Sequence, residues 1–265
     1  MKVLVIGASG LLGTQLMNKL GRIAVGYDLP EFDITNRKSV ASVIKLEQPD
    51  LIINSSALTD VDYCEKYPDK ADAVHYRGVQ YLAQTGIRLI TISTDQVFSD
   101  DCDRYLLESD KPSPENYYAI SKLKGEKEAL KYSGNVVIRT SWLFHLKGLL
   151  PWMVNKLKNG ETVTAVTDQT ACITSADSLI KVILELSIDT EKNGLYHCVN
   201  HGAITPFALA LLLKERIGRG AVEPVAWSDL NLPASRPFWS ALGTEKELVT
   251  PGMEEVIEIC LERML

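Results

Sequence analysis

Several things are scarce in this 265-residue chain, and each scarcity removes a class of protein. No stretch approaches the 18 or more consecutive apolar residues of a membrane-spanning helix. The apolar run after Met1 and Lys2 is too short for a secretory signal, so no membrane association and a cytoplasmic location are expected. Cysteines are few and odd in number: Cys64, Cys102, Cys172, Cys198 and Cys260 are scattered without a CxxC pair. Neither a disulfide framework nor a zinc knuckle is therefore indicated. His197 and His201 are four apart but flank a strand-like segment, which is not the helical spacing of a metal pair, and no metal site is expected. Positive charge is also short, with 28 Lys and Arg against 34 Asp and Glu and a net charge of −6. That balance argues against a partner made of nucleic acid. Repeats, low-complexity runs and flexible linkers are absent.

What the chain does have is concentrated at its start. Lys2 to Ile6 is a β-branched-rich apolar run with the character of a buried strand. It stops at Gly7, and Gly7, Gly10 and Gly13 then fall three apart before an amphipathic stretch, Leu11 to Leu20. Glycine at the first position permits a tight strand-to-helix turn. The second lets backbone approach a phosphate, and the third lets helix and strand pack closely. Amide hydrogens at the helix start would face a dinucleotide pyrophosphate.

Strand-like and helix-like patterns then alternate. Ile23 to Asp28 reads as a second strand ending in an acid about 20 residues beyond the turn, as the dinucleotide fingerprint requires. A carboxylate there accepts from ribose hydroxyls and repels a 2′-phosphate, which favours NADH, although Arg37 and Lys38 follow closely. Helical Ser39–Lys45 leads to the strand Asp50–Asn54, with small Ser56 and Ala57 at its carboxyl end. A helix over Tyr67–Gln84 and a strand over Arg88–Ser93 follow, with Thr94 and Asp95 at the strand's end. This alternation predicts a parallel, doubly wound α/β sheet.

After a polar loop, the pattern NYYAISKLKGEKEAL (116–130) predicts a helix that places Tyr118 and Lys122 on one face. A phenol ordinarily holds its proton to about pH 10. A neighbouring ammonium brings it toward the range useful for acid catalysis. Thr94 is positioned to donate to a substrate carbonyl. Val136–Thr140 reads as a further strand ending in Ser141 and Trp142. Helices are expected over Gly148–Lys158, Asp177–Glu185 and Thr205–Arg216, and Glu254, Glu255, Glu258 and Glu262 mark the wet face of a terminal helix.

These motifs together resemble the extended short-chain dehydrogenase/reductase group, and more narrowly the dTDP-4-dehydrorhamnose reductase family. The resemblance runs through GASGLLG, PDLIINSSALTDVDYCE, ISTDQVF, NYYAISKLKGE, VIRTSWLF, AVTDQTACIT, GLYHCVN and RPFWSALGTEK. It implies a Rossmann-type domain over residues 1–142. A smaller nucleotide-sugar lobe would occupy 143–265, with segments returning to the first domain. It implies NADPH or NADH, held by Gly7, Ser9, Gly10, Leu11, Leu12, Gly13, Asp28, Asp33, Ile34, Ser56, Ala57, Thr59, Tyr118 and Lys122. Catalysis would fall to Thr94, which polarises the ketone, Tyr118, which gives the proton, and Lys122, which lowers the Tyr118 pKa. Substrate contacts would come from Thr94, Asp95, Gln96, Trp142 and Arg236, the last as a cation for the diphosphate. The family reaction reduces the 4-keto group of dTDP-4-dehydro-L-rhamnose, and a homodimer is the family expectation. The chain departs from the family pattern at His75 (usually asparagine), Gln96 (usually tyrosine), Ile173 (usually proline), and Leu149 and Leu150 (usually Asn-Phe). Other readings are an epimerase or dehydratase of the same group, which recycles its cofactor, or a cofactor-binding module resembling the methionine adenosyltransferase regulatory subunit.

Overall fold

A computed structural model describes residues 1–99 and 102–265. The chain alternates as the sequence pattern predicts: β1 (Val3–Ile6), α1 (Leu11–Leu20), β2 (Ala24–Tyr27), α2 (Arg37–Glu47), β3 (Leu51–Asn54), α3 (Val61–Lys66), α4 (Pro68–Ala71), α5 (Val79–Ala83), β4 (Arg88–Thr94), α6 (Tyr117–Ala129) and β5 (Val136–Thr140). The second half comprises β6 (Leu143–Phe144), α7 (Leu149–Lys158), β7 (Thr162–Val166), β8 (Ala171–Ser175), α8 (Ala176–Ile188), β9 (Gly194–His197), β10 (Asn200–Ile204), α9 (Pro206–Ile217), β11 (Ala221–Val225) and α10 (Met253–Met264). None of the described helices is long and apolar enough to cross a membrane.

Six strands form one parallel sheet in the order β2-β1-β3-β4-β5-β9. The chain steps from β1 outward to β2, then returns to β3 on the other side of β1. This reversal creates a crevice at the carboxyl ends of β1 and β3, the place where open α/β sheets bind ligands. The β-period sends alternate residues of β1 to opposite faces. Val3 and Val5 pack with Leu12 and Leu16 of α1 and Leu179 and Ile183 of α8. Leu4 and Ile6 pack with Val40 and Val43 of α2 and Val79 and Leu82 of α5.

The helices begin where the sequence supplies side-chain acceptors for otherwise unpaired amides. Asn36 caps α2, Asp60 caps α3, Asn116 caps α6, Ser175 caps α8, and Thr205, followed by Pro206, caps α9. The helix expected over Tyr67–Gln84 is interrupted. Residues Asp72–Gly78 form a π-helical turn between α4 and α5. Gly125 of α6 lies so close that a Cβ there would stand 2.1 Å from the His75 carbonyl oxygen.

The second half builds a separate core, in which Met153, Val154 and Leu157 of α7 meet Leu209 and Leu213 of α9 and Val256 and Ile257 of α10. Two small sheets accompany it, β10-β8-β6 and β11-β7. Meanwhile α8 and β9, also from the second half, pack on α1 and extend the main sheet beside β5.

Candidate active site

The glycine turn has the geometry its spacing predicts. Gly7 takes φ +80°, and a Cβ on it would lie 2.7 Å from the Ser56 amide nitrogen. A Cβ on Gly13 would lie 2.0 Å from the Gly7 carbonyl oxygen, so α1 rests directly on the end of β1. Helix α1 starts at Gly10 with no side-chain cap, which leaves its first amides for a ligand. Beside it opens a cleft of about 250 Å³ whose walls include Gly7, Ser9, Gly10, Asp28, Asp33, Ile34, Ser56 and Ala57. The cradle fits a dinucleotide: backbone is exposed where a phosphate must approach, and a carboxylate lies farther along.

That carboxylate, Asp28, accepts from the Ser9 amide at 3.1 Å, the Ser9 hydroxyl at 2.5 Å and the Leu29 amide at 2.9 Å. Burial opposes its charge, but these bonds outweigh burial and hold the carboxyl below its ordinary value. No Lys or Arg is among the described residues lining the cleft, and Arg37 faces a different groove with Lys45 and Tyr81. Of the expected cofactor residues, Leu11, Leu12, Gly13, Thr59, Tyr118 and Lys122 do not line this cleft, although Leu11 and Leu12 supply the first amides of α1. The Leu11 and Leu12 side chains turn into the core under α1, and Thr59 is exposed outside the cleft. Phe32, Leu58 and Val74 line the cleft without any warning in the sequence. They are apolar residues at irregular spacing, and only the fold brings them together.

Thr94, Tyr118 and Lys122 converge from β4 and α6. Burial is the main influence on the Tyr118 phenol and pushes it above its ordinary value, with the Thr94 hydroxyl opposing the rise. It is therefore a neutral O–H at neutral pH, able to give a proton. Burial brings the Lys122 ammonium down to about 8, against the opposing pull of Glu126 and Cys64. The Lys122 Nζ donates to the Ile92 carbonyl at 2.5 Å. The expected lowering of the Tyr118 pKa by Lys122 is not found here, because burial dominates and the ammonium is turned toward a backbone oxygen.

His75 is 2% exposed and lies edge-on to Tyr118, with ring centroids 5.4 Å apart. Its Nε2 accepts from the Leu58 amide at 2.9 Å, so Nδ1 carries the hydrogen and donates to the Ser121 hydroxyl at 2.8 Å. Ser121 in turn donates to the Tyr118 carbonyl at 2.8 Å. Burial, reinforced by nearby Lys122, keeps the imidazole pKa well below its ordinary value. This neutral ring joins the cleft wall at Leu58 to α6 at Ser121, a link that asparagine is too short to reproduce in full.

The substrate side differs from expectation at two residues. Asp95 is buried, and its oxygens accept from the hydroxyls of Thr94 at 3.1 Å, Ser141 at 2.8 Å and Ser240 at 2.6 Å. Burial raises its pKa while these three bonds oppose the rise. Its carboxylate organises three segments, and little of it is left over for a sugar. Arg236 is likewise engaged: Nη2 lies 3.1 Å from Asp62 Oδ2, Nη1 donates to the Ala234 carbonyl at 2.8 Å, and the guanidinium covers the Trp227 ring at 4.9 Å. Arg236 is thus a clasp to α3 in this structure and does not stand as a free cation.

Residues 234–240 form a strap bonded to the first half of the chain at Asp62 of α3, Asp95 after β4, the Arg104 carbonyl, and Glu115 and Asn116 at the start of α6. Beneath it lies a cavity of about 80 Å³, bordered by Asp95, Gln96, Trp142, Gln169, Arg236 and Ser240. Trp142 reaches it from a backbone at φ +31°, a costly conformation for a bulky residue and one concentrated at functional sites. An apolar cavity of about 260 Å³ between α8 and α10 lies apart from this chemistry. Two of its ionic groups are paired with each other, Arg263 donating to Asp177 at 2.7 Å.

Comparison with known proteins agrees with this geometry. Residues 1–256 match the family described as RmlD substrate binding domain. The chain is 33% identical to a probable low-salt glycan biosynthesis reductase of Haloferax volcanii, over 91% of this chain and 89% of that protein. It is 32% identical to the dTDP-4-dehydrorhamnose reductase of Salmonella typhimurium, over 100% of this chain and 98% of the relative. Its structure resembles that of the Bacillus anthracis dTDP-4-dehydrorhamnose reductase in complex with NADP, with a TM-score of 0.92, 30% identity and coverage of 99% and 100%.

Proposed function

Because the chain belongs to the dTDP-4-dehydrorhamnose reductase family, we propose that it reduces the 4-keto group of dTDP-4-dehydro-L-rhamnose, or of a close nucleotide deoxysugar, to the alcohol. It is an NAD(P)H-dependent oxidoreductase with a Rossmann-type fold. The observation that supports the mechanism best is the convergence of Thr94, Tyr118 and Lys122 beside a glycine cradle of dinucleotide shape.

Bound NAD(P)H supplies the hydride. The protein's own residues do the rest. The Thr94 hydroxyl turns its one hydrogen from Asp95 to the substrate carbonyl oxygen and holds it there. Tyr118, kept protonated by its burial, delivers its proton to that oxygen as negative charge develops on it. Lys122, mostly charged at neutral pH with a pKa near 8 and anchored on the Ile92 carbonyl, would hold the nicotinamide ribose rather than act on the Tyr118 phenol. His75, through Ser121 and the Leu58 amide, fixes Tyr118 against the cofactor wall.

Asp28, with no cation beside it in the cleft, supports NADH as the preferred reductant. The second half, apart from α8 and β9, acts as the nucleotide-sugar lobe. Arg236 meets the diphosphate by exchanging its Asp62 partner for phosphate oxygens. Such an enzyme works in the cytoplasm, where NAD(P)H is regenerated.

The test is oxidation of NADH and NADPH, followed by nicotinamide absorbance, with freshly generated dTDP-4-dehydro-L-rhamnose. Tyr118→Phe is expected to lose about 10²- to 10⁴-fold in kcat, far more than any change in its cofactor affinity. Full activity in that variant would remove Tyr118 from the mechanism.

A further inference from the structure

The strap cavity holds a residue whose hydrogen-bonding polarity is fixed by the fold. Carboxamide orientations are ordinarily ambiguous, because oxygen and nitrogen are so alike. At Gln96 the ambiguity is removed in three steps. The Ala119 amide must donate, and it does so to Asn116 Oδ1 at 2.9 Å as the cap of α6. Asn116 is therefore oriented with Nδ2 outward, and Nδ2 donates to the Ser235 carbonyl at 3.0 Å and to Gln96 Oε1 at 2.9 Å. With its oxygen committed, Gln96 leaves only Nε2 for the cavity, where it bonds to no described residue.

We infer that Gln96 selects its substrate by donating a hydrogen bond, so that the enzyme takes a nucleotide sugar presenting an oxygen acceptor to the strap cavity and rejects the same sugar bearing an amine there. The inference rests on the ketoreductase reading of this site and narrows its substrate class. A hydroxyl oxygen accepts from the amide nitrogen. A protonated amine only donates, so it would meet Gln96 Nε2 donor to donor, with the Arg236 guanidinium also bordering the cavity. The one carboxylate in the cavity wall, Asp95, is already held by three hydroxyls. Gln169 also borders the cavity, but its buried Nε2 has no partner and nothing fixes its orientation. The polarity of the cavity is therefore set at Gln96.

The experiment compares a dTDP-4-keto-6-deoxyhexose carrying hydroxyls at C2 and C3 with its 2-amino and 3-amino counterparts. Both kcat/KM and the calorimetric Kd are measured. Wild type is expected to favour the hydroxyl sugar roughly tenfold or more over at least one amino sugar. Gln96→Glu accepts from Asn116 with one oxygen and offers the other to the cavity, so the same ratio is expected to shrink about tenfold or invert. Asn116→Asp keeps the cap acceptor but loses the outward donor. It is expected to turn the Gln96 carboxamide over and move the ratio the same way without altering residue 96. A simple loss of packing would weaken both sugars alike and leave the ratio where it was. Ratios within twofold of wild type in both variants would overturn the inference. Failure to reduce any of the sugars would count against the ketoreductase reading, while the Kd ratio would still judge Gln96.

Discussion

Replacing Gly13 with alanine sets two effects of opposite sign against each other. In an exposed helix, alanine is favoured over glycine by about 1 kcal/mol, so a tolerant site would gain stability. At Gly13 the new methyl would stand 2.0 Å from the Gly7 carbonyl oxygen and 2.8 Å from the Ala8 Cα. Both are backbone atoms that no rotamer change can move. Ordinary contact demands more than 3 Å, so the start of α1 must retreat by about 1 Å, at an overpacking cost of roughly 3 kcal/mol. The net loss is about 2 kcal/mol, or a Tm decrease of about 4–8 °C for a chain of this size. Because the same retreat displaces the amides proposed to meet the pyrophosphate, NADH affinity is expected to fall about tenfold, the loss of roughly one charge-assisted hydrogen bond. Urea denaturation and nicotinamide fluorescence titration read the two effects separately. A Gly13→Ala protein as stable as wild type, binding NADH within twofold, would refute the close-packing argument.

Three further outcomes follow from the site and its supports. Asp28→Asn keeps acceptors for Ser9 but removes the charge, so kcat/KM with NADPH should rise about tenfold relative to NADH; an unchanged cofactor ratio would mean that Asp28 does not face the ribose. Glu126→Gln strips the partner from Arg139, whose Nη2 lies 2.7 Å from Glu126 Oε2 with both side chains 3% exposed. That should cost about 3–5 kcal/mol in urea unfolding, against less than about 1 kcal/mol for breaking the exposed Arg216–Glu258 pair. His75 is neutral when folded and free to protonate when unfolded, so the unfolded state binds more protons below about pH 6.5 and stability falls with pH there. Between pH 7 and 5.5, wild type should lose about 1 kcal/mol more than His75→Asn; parallel losses would show that the ring is not held neutral.

The parts of the molecule legible in its sequence are those governed by local rules. The buried strand before Gly7 and the three-residue glycine spacing respond to sterics within a dozen residues, and the structure reproduces them in detail. Tyr118 and Lys122 were legible for the same reason, since helical periodicity alone sets their common face. The rest depends on partners far along the chain. The break at Asp72–Gly78 is a response to α6 pressing on it at Gly125, and nothing in AVHYRG announces that pressure. Arg236 reads as a spare cation until Asp62, 174 positions earlier, is folded against it. Asp95 reads as a substrate ligand until hydroxyls from residues 141 and 240 arrive to occupy it. The pK effect of Lys122 on Tyr118 was inferred from proximity in sequence, but burial, which no single sequence displays, outweighs it.

The strap over residues 234–240 constrains how molecules come and go. A swing of the second half's own core away from the sheet would have to strip Ser240 from Asp95, Arg236 from Asp62 and Ser235 from Asn116 together. It would also pull against α8 and β9, which are built into the main sheet. Peeling the strap one anchor at a time exposes far less at each step. The strap is therefore a seam as much as a cover: backbone bonds tie it to Thr170 of the second half while side chains tie it to Asp62, Asp95 and Asn116 of the first.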